Sequence, residues 1–281
     1  MISQAISLIP SDIDNVWLFL VLGTLSVLLV SMAKAGFSGG VGLLSMPVMI
    51  YACGGKPQLA AGIMLPILVI NDYVALAGWW RKWSWRPVLL LLPGMVLGTA
   101  VGWLSIWMLT HLESADAERQ RKAADAALMF GVGLIAIGFV VLQVIRSRRG
   151  APLPFRPVLW QGTCVGGVAG FTSTLAHAAG PVVNMYMLPQ QMPKERFVAT
   201  TLLYFWIGNQ LKLLPYFSLG LLDMRAAGGA AVFVPAVIGG TLLGILLNRL
   251  VGQRQFTGVV YALLFFTGLN LLIDGSRKLW F

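Results

Sequence analysis

The stretch that decides the fold is Gly36-Phe37-Ser38-Gly39-Gly40-Val41-Gly42-Leu43-Leu44-Ser45-Met46-Pro47, because it returns in degenerate form as Gly170-Phe171-Thr172-Ser173-Thr174-Leu175-Ala176-His177-Ala178-Ala179-Gly180-Pro181. Each copy reads Gly-Phe-Ser/Thr, eight residues, then Pro. A second pattern follows in both halves in the same order. Pro93, Gly98-Thr99 and Gly102 recur, at identical spacing, as Pro235, Gly240-Thr241 and Gly244. Between the two patterns each half carries an asparagine inside an apolar run, Asn71 and Asn209. The offset between copies grows from 134 to 138 to 142 residues, as small loop insertions would produce. The chain therefore reads as a duplication, residues 1–150 and 151–281. Each half has five apolar segments, and an odd number delivers the second copy into a membrane from the opposite face. The expectation is a pair of inverted repeats, the architecture of many secondary transporters.

Composition agrees with a membrane setting. The chain has 281 residues, 58% hydrophobic and only 11% charged, where a soluble domain carries about 25% charge. Mean hydropathy is +0.81. The 10 Trp and 14 Phe exclude a disordered chain. Cys53 and Cys164 form no C-x-x-C pair, so neither a disulfide framework, a metal site nor a redox motif is indicated. A net charge of +10 on a soluble protein would suggest nucleic acid. Here the basic residues sit in short loops between apolar runs, where they act as topology signals. The partner they imply is the lipid bilayer, and nucleic acid is excluded.

The apolar segments fall near 16–34, 39–53, 58–79, 86–109, 124–146, 157–173, 178–190, 196–218, 226–249 and 256–274. Lipid makes each of them a helix, since every backbone polar group must be satisfied within its own segment. The fold class is all-α, a polytopic integral membrane protein of eight to ten transmembrane segments. The segments at 39–53 and 178–190 reach only about 20–23 Å, short of a ~30 Å hydrocarbon core. They and 157–173 read as half-helices or broken helices at the repeat interface. Residues 110–125 are charged and helix-forming, with Glu118 and Lys122 four apart, and read as an exposed helical extension. Residues 1–15 hold Asp12 and Asp14 but no Lys or Arg, so they lack the basic start of a removable signal, and Val16 to Met32 reads as a first span. With the N-terminus outside, Lys34, Arg81, Lys82, Arg86, Arg146, Arg148, Arg149, Arg156, Lys194, Arg196, Arg249 and Arg254 face inward with a single acid, Glu195. Eight acids, Asp12, Asp14, Glu113, Asp116, Glu118, Asp125, Asp223 and Asp274, fall on the other side. The positive-inside rule thus predicts both termini outside the cytoplasm.

Polar residues at membrane depth mark the candidate site, since a charge there costs roughly 3 kcal/mol. Asp72 lies mid-segment beside Asn71. Lys212 lies at comparable depth in the repeat-related segment, after Asn209 and Gln210. One reading is an Asp72–Lys212 ion pair that holds the halves together. The other has Lys212 binding an anion while Asp72 couples protons. His177 shares a helix face with Ser173 and is either an anion or proton carrier or a neutral ring bonded to a carbonyl. Lys34 either snorkels to the inner interface or binds substrate at the helix break. The Gly-rich run Gly36, Ser38, Gly39, Gly40 breaks a helix; the next helix would then offer an anion its free N–H groups and dipole, or the run only ends a helix. Gly98, Gly102, Gly240 and Gly244 read as helix-packing residues. Asn184 is a weaker polar candidate. No H-E-x-x-H or P-loop is present, and Ser173 with His177 lacks an orienting carboxylate nearby, so no catalytic residues are assigned. Asp72 is the only intramembrane acid, which argues against a metal site or a divalent-cation carrier. No cofactor is indicated. The excess of cations and amide donors favours an anionic substrate.

These motifs, the glycine-rich G-F-S-G-G-V-G-L-L-S-M-P stretch, its copy G-F-T-S-T-L-A-H-A-A-G-P and the repeated P-x-x-x-x-G-T-x-x-G, resemble the TauE/SafE family of sulfite exporters over nearly the whole chain. The resemblance implies a multi-pass permease of the bacterial inner membrane. It would export a small sulfur-containing anion, sulfite or an organosulfonate resembling sulfoacetate, without an ATP-hydrolysing domain. The family pattern carries over to Gly36, Phe37, Ser38, Gly39, Gly40 and Pro47 and to Gly170, Phe171, Thr172 and Pro181; Ser173 and Thr174 stand where the first copy has Gly39 and Gly40. The expected substrate-binding set is Lys34, Gly36, Phe37, Ser38, Gly39, Gly40, Asn71, Phe171, Thr172, Ser173, Thr174, His177, Asn209, Gln210 and Lys212, with Asp72 and His177 as proton-coupling candidates. The alternatives are an anion-selective channel and a permease for carboxylates or other inorganic anions.

Overall fold

The computed structural model describes residues 9–11, 13–37, 44–111, 158–187, 190 and 192–250, with parts of 123–145 and 265–278. Every regular element among them is helical: α1 Val16–Phe37, α2 Ser45–Ala52, α3 Pro57–Gly78, α4 Trp85–His111, α5 Leu159–Ala176, α6 Gly180–Met187, α7 Lys194–Ser218, α8 Met224–Val232 and α9 Val234–Leu250. The described residues of 123–145 and 265–278 are helical as well. Ser38, Gly39 and Gly40, and 112–122 of the charged stretch, lie outside the described residues.

Three described helices are long and apolar enough to cross a membrane: Val16–Gly36, Pro57–Gly78 and Trp85–Thr110. A fourth is added if α8 and α9, bent by 53° at Phe233, count as one broken span. Apolar side chains cover both faces of these helices. On α4, Val88, Leu91 and Met95 are buried, while Leu89, Val96, Leu97, Val101, Leu104 and Trp107 are exposed. A helix that is apolar all round, with one side unpacked, suits lipid on that side.

Helix directions follow from the contacts. Ser26 lies against Met64 and Lys34 against Asp72, so α1 and α3 run parallel. Lys212 meets Ser173 and Tyr216 meets Thr174, so α7 and α5 run parallel as well. Gly62 packs against Leu221, Asp72 against Asn209 and, beyond the helix ends, Lys82 against Glu195, so α3 and α7 are antiparallel. Two close helix pairs join the halves. On α4, a Cβ added at Gly94 would collide with Thr163 O of α5, and one at Gly98 with Gly167 O. On α9, a Cβ at Gly244 would fall 2.6 Å from Met32 O of α1. The elements carrying P-x-x-x-x-G-T-x-x-G thus each pack, backbone to backbone, on the element carrying G-F-[ST] in the other half.

The helices α2 and α6 hold eight residues each, about 12 Å of rise. Ser26 Oγ, midway along α1, donates to Ser45 O at 2.6 Å, so α2 starts at mid-depth of the bundle. The helix before α6 ends three residues beyond the 157–173 segment read from sequence. Gly170-Phe171-Thr172 is helical, inside α5, and the chain turns at His177–Ala179. The second copy lacks the Gly39-Gly40 of the first, and Ser173-Thr174-Leu175-Ala176 extend the helix by another turn. The helix closes with His177 in the left-handed region at φ +52°, its N–H bonded to Ser173 O at 2.9 Å. Glycine usually takes that position, and a side chain there costs about 1–2 kcal/mol.

Candidate functional site

A cavity of about 30 Å³ opens where α1, α3, α5, α6 and α7 meet, lined by Lys34, Ser173, His177, Gly180, Asn209 and Lys212 among others. It is small, with these polar groups set among Val30, Leu68 and Phe205, and large enough for a water molecule. Each polar side chain arrives by a separate route. Lys34 sits one turn from the end of α1, Asp72 in the second half of α3, Asn209 and Lys212 three apart on one face of α7, and Ser173 and His177 at the C-terminal end of α5. Ala179 and Gly180 bring the N-terminus of α6 to the same wall. A helix start of this kind presents N–H groups without intrahelical partners and the positive pole of the dipole, with Pro181 contributing no N–H.

Asp72 is fully buried and held from two sides. Lys34 Nζ pairs with Oδ1, and Asn209 Nδ2 donates to Oδ2 at 2.5 Å. This corrects one of the two readings of Asp72: its ion partner is Lys34 and not Lys212. Parallel packing of α1 and α3 puts Lys34 and Asp72 at one level, a register that sequence alone does not give. Lys34 is also only 5% exposed, so it does not snorkel. Its ammonium lies 5.2 Å from the centre of the Phe205 ring, a cation–π contact.

Lys212 is buried among neutral acceptors. It donates to Ser173 Oγ at 3.0 Å, to Ser173 O at 3.3 Å and to His177 Nδ1 at 3.0 Å. His177 Nε2 lies 3.2 Å from Ala61 O. A carbonyl only accepts, so Nε2 carries the ring proton, and Nδ1 offers its lone pair to the ammonium. His177 is thus neutral in this arrangement, and a second proton would point at Lys212. That geometry does not suit the sequence reading of His177 as a protonated anion ligand.

Other candidates lie elsewhere. Thr172 Oγ1 donates within its own helix to Val168 O at 2.9 Å, and Thr174 Oγ1 to Gly170 O at 2.9 Å; neither lines the cavity. Gly36 is a packing residue: a Cβ there would collide with Gly244 O, and Asn248 Nδ2 donates to Gly36 O. Phe37 ends α1, and Phe171 N lies against Gly98. Asn71 Oδ1 accepts from Thr241 Oγ1 at 2.7 Å, tying α3 to α9 behind the site, and Gln210 is half-buried on α7 outside the cavity.

Sequence reading missed Phe205 and two hydrogen bonds near the cavity. Phe205 precedes Asn209 by four residues and Lys212 by seven, so the face of α7 already marked by those two would have pointed to it. On one side Trp79 Nε1 donates to Ala35 O at 3.1 Å, tying α3 to α1. On the other, Tyr216 OH donates to Thr174 O at 2.7 Å. No signal marks either bond in sequence.

Among the described residues no cluster of His, Cys, Asp and Glu suits a metal ion. Comparison with curated proteins and with solved structures gives no match. The family model described as Sulfite exporter TauE/SafE matches residues 23–271. That match spans most of the chain, including both G-F-[ST] copies and every residue around the cavity, and the chain belongs to the TauE/SafE sulfite exporter family, a family of membrane transporters.

Proposed function

We propose that the protein is a secondary permease that exports a small sulfur oxyanion, sulfite or an organosulfonate, by alternating access across a bacterial inner membrane. The observation that carries this reading is the convergence of Lys34, Lys212, Asn209, Ser173 and the α6 N-terminus on one cavity built from both halves. These groups are donors, and together they match the acceptor-only surface of an oxyanion. The cavity lies between the Trp79–Ala35 and Tyr216–Thr174 contacts. In an alternating cycle, one of these contacts opens at a time.

Support for inverted repeats comes from helix direction. The repeat-related helices α3 and α7 are antiparallel, and the pairs α4–α5 and α9–α1 join the halves reciprocally. In this reading the repeats rock about the cavity between them. Sidedness is supported by charge. Arg81, Lys82, Lys194 and Arg196 gather at one end of α3 and α7, while Asp14, Asp223 and Asp274 lie toward the other. The basic end is cytoplasmic in this reading, and both termini are outside.

The test is sulfite flux in vesicles containing purified protein. Saturable uptake with counterflow is the expected result. Unsaturated flux without counterflow would replace the carrier with a channel, and absence of protein-dependent flux would remove the sulfite reading.

A further inference from the structure

Among the described residues, Lys34, Asp72 and Lys212 are the only buried charged side chains. Their formal sum is +1. Asp72 neutralises Lys34, while the contacts of Lys212 are Ser173 and a His177 ring whose Nδ1 lone pair faces the ammonium. Both ammonium groups line the one cavity. An uncompensated charge in such a place is expensive, and its cost falls when a counter-charge arrives.

Resting on the permease reading above, we infer that this site is a valence filter: it carries one net negative charge per cycle, either a monoanion alone or a dianion together with one proton held on Asp72. A monoanion beside Lys212 brings the sum to zero with Asp72 still ionised. A dianion overshoots by one unit. Lys34 then turns from Asp72 to the substrate, which lies in the same cavity. The freed Asp72 Oδ1 takes a proton from hydronium on the loading side and returns it on the far side, where Lys34 pairs with the carboxylate again. The covalent changes are the O–H bond formed on Asp72 and the O–H bond broken in the hydronium that supplies the proton, which is left as water; release on the far side reverses both. The charged and polar groups facing Asp72 are Lys34 from α1, Asn209 and Lys212 from α7 and, beyond Lys212, the neutral His177. None of these is a second acid, so Asp72 alone accepts the proton. The loaded carrier is neutral and the empty one carries +1. An inside-negative potential therefore favours export.

The experiment counts charges. Vesicles containing the protein are held at equal pH on both faces, a potassium diffusion potential is imposed, and the steady-state ratio of total sulfite across the membrane is read. Protein-free vesicles provide the background. One net charge gives tenfold in that ratio per 59 mV, and two give a hundredfold. Wild type is expected at tenfold; a hundredfold slope, or none, overturns the filter. Asp72→Asn leaves two cations and no proton acceptor, so its slope is expected to move toward a hundredfold. An unchanged tenfold slope in a folded variant overturns the role of Asp72. Should that variant fail to elute as a single species, Lys212→Gln makes the same count from the other side. Its site sums to zero, its load must be uncharged, and its slope is expected to flatten; a retained tenfold slope again overturns the proposal. Loss of all protein-dependent sulfite flux in wild type would instead remove the permease reading beneath it.

Discussion

Lys212 Nζ stands 3.0 Å from His177 Nδ1, and the ring's other nitrogen is spent on Ala61 O of the opposite half. The imidazole is therefore a spacer between α3 and α7 that fixes where the ammonium sits. It does this from a left-handed backbone position at the end of α5. Backbone strain and polar placement coincide at one residue, as happens where structure is held for function.

His177→Gly separates the two effects. Glycine relieves the left-handed strain, which offsets only part of the loss of the ring's bonds to Lys212 and Ala61 O, so the thermal unfolding temperature should fall modestly. Lys212 loses an acceptor worth about 1.5–3 kcal/mol to a charged donor. The KM for sulfite in vesicles should rise by roughly tenfold or more. A fall in unfolding temperature with unchanged KM would show that the ring only supports the fold.

The two buried lysines should respond to mutation with opposite signs. Lys34→Met leaves Asp72 buried without its cation and should cost about 3–5 kcal/mol of stability. Lys212→Met removes a charge whose hydrogen bonds all go to neutral groups, so stability should hold or increase by about 1 kcal/mol. Transport should fall in both. Unfolding curves in detergent, paired with sulfite flux, test the contrast. A strongly destabilised Lys212→Met would mean that its neutral partners satisfy it fully.

The pair Lys82–Glu195 is the exposed counterpart, at 2.7 Å with both side chains about half in solvent. Exposed pairs contribute about 0–1 kcal/mol, because water screens them and ordering two long chains costs entropy. Lys82→Ala should therefore leave the unfolding temperature unchanged within about 2 °C. A larger loss would assign this contact a part in closing the basic end.

Much of this was legible in the sequence. Ordinary hydropathy located the long helices α1, α3 and α4 and the apolar run that breaks into α8 and α9. The unusual polar residues Lys34, Asp72, His177, Asn209 and Lys212 were visible because lipid makes such residues costly, and they gather at one place. The partnership of Lys34 with Asp72 was not visible, since it depends on the register of α1 against α3, and apolar helices give no pattern for register. The hydroxyls of Thr172 and Thr174 bond to carbonyls one turn back, an option that sequence does not distinguish from a hydroxyl free for substrate. The count of eight to ten spans rests on segments that the described helices cover only in part.

Adjacent glycines on α9 allow a final test of how the halves are held. A Cβ at Gly239 would meet nothing within 4 Å, while one at Gly240 would lie 2.9 Å from Ser31 Cβ and 3.2 Å from Leu28 O of α1. Both residues are helical, so Gly→Ala gains propensity equally at each, about 1 kcal/mol. Only Gly240→Ala must push α1 away, at about 1–3 kcal/mol. Gly239→Ala should therefore raise the unfolding temperature slightly, and Gly240→Ala should lower it relative to Gly239→Ala. Gly98→Val, which would drive a branched side chain into Gly167 of α5, should be worse than either. If α1 and α9 instead slide past one another during transport, Gly240→Ala will also slow flux beyond its effect on stability. Equal behaviour of Gly239→Ala and Gly240→Ala in both assays would mean that this contact between the halves is loose, and that something other than close backbone packing holds them in register.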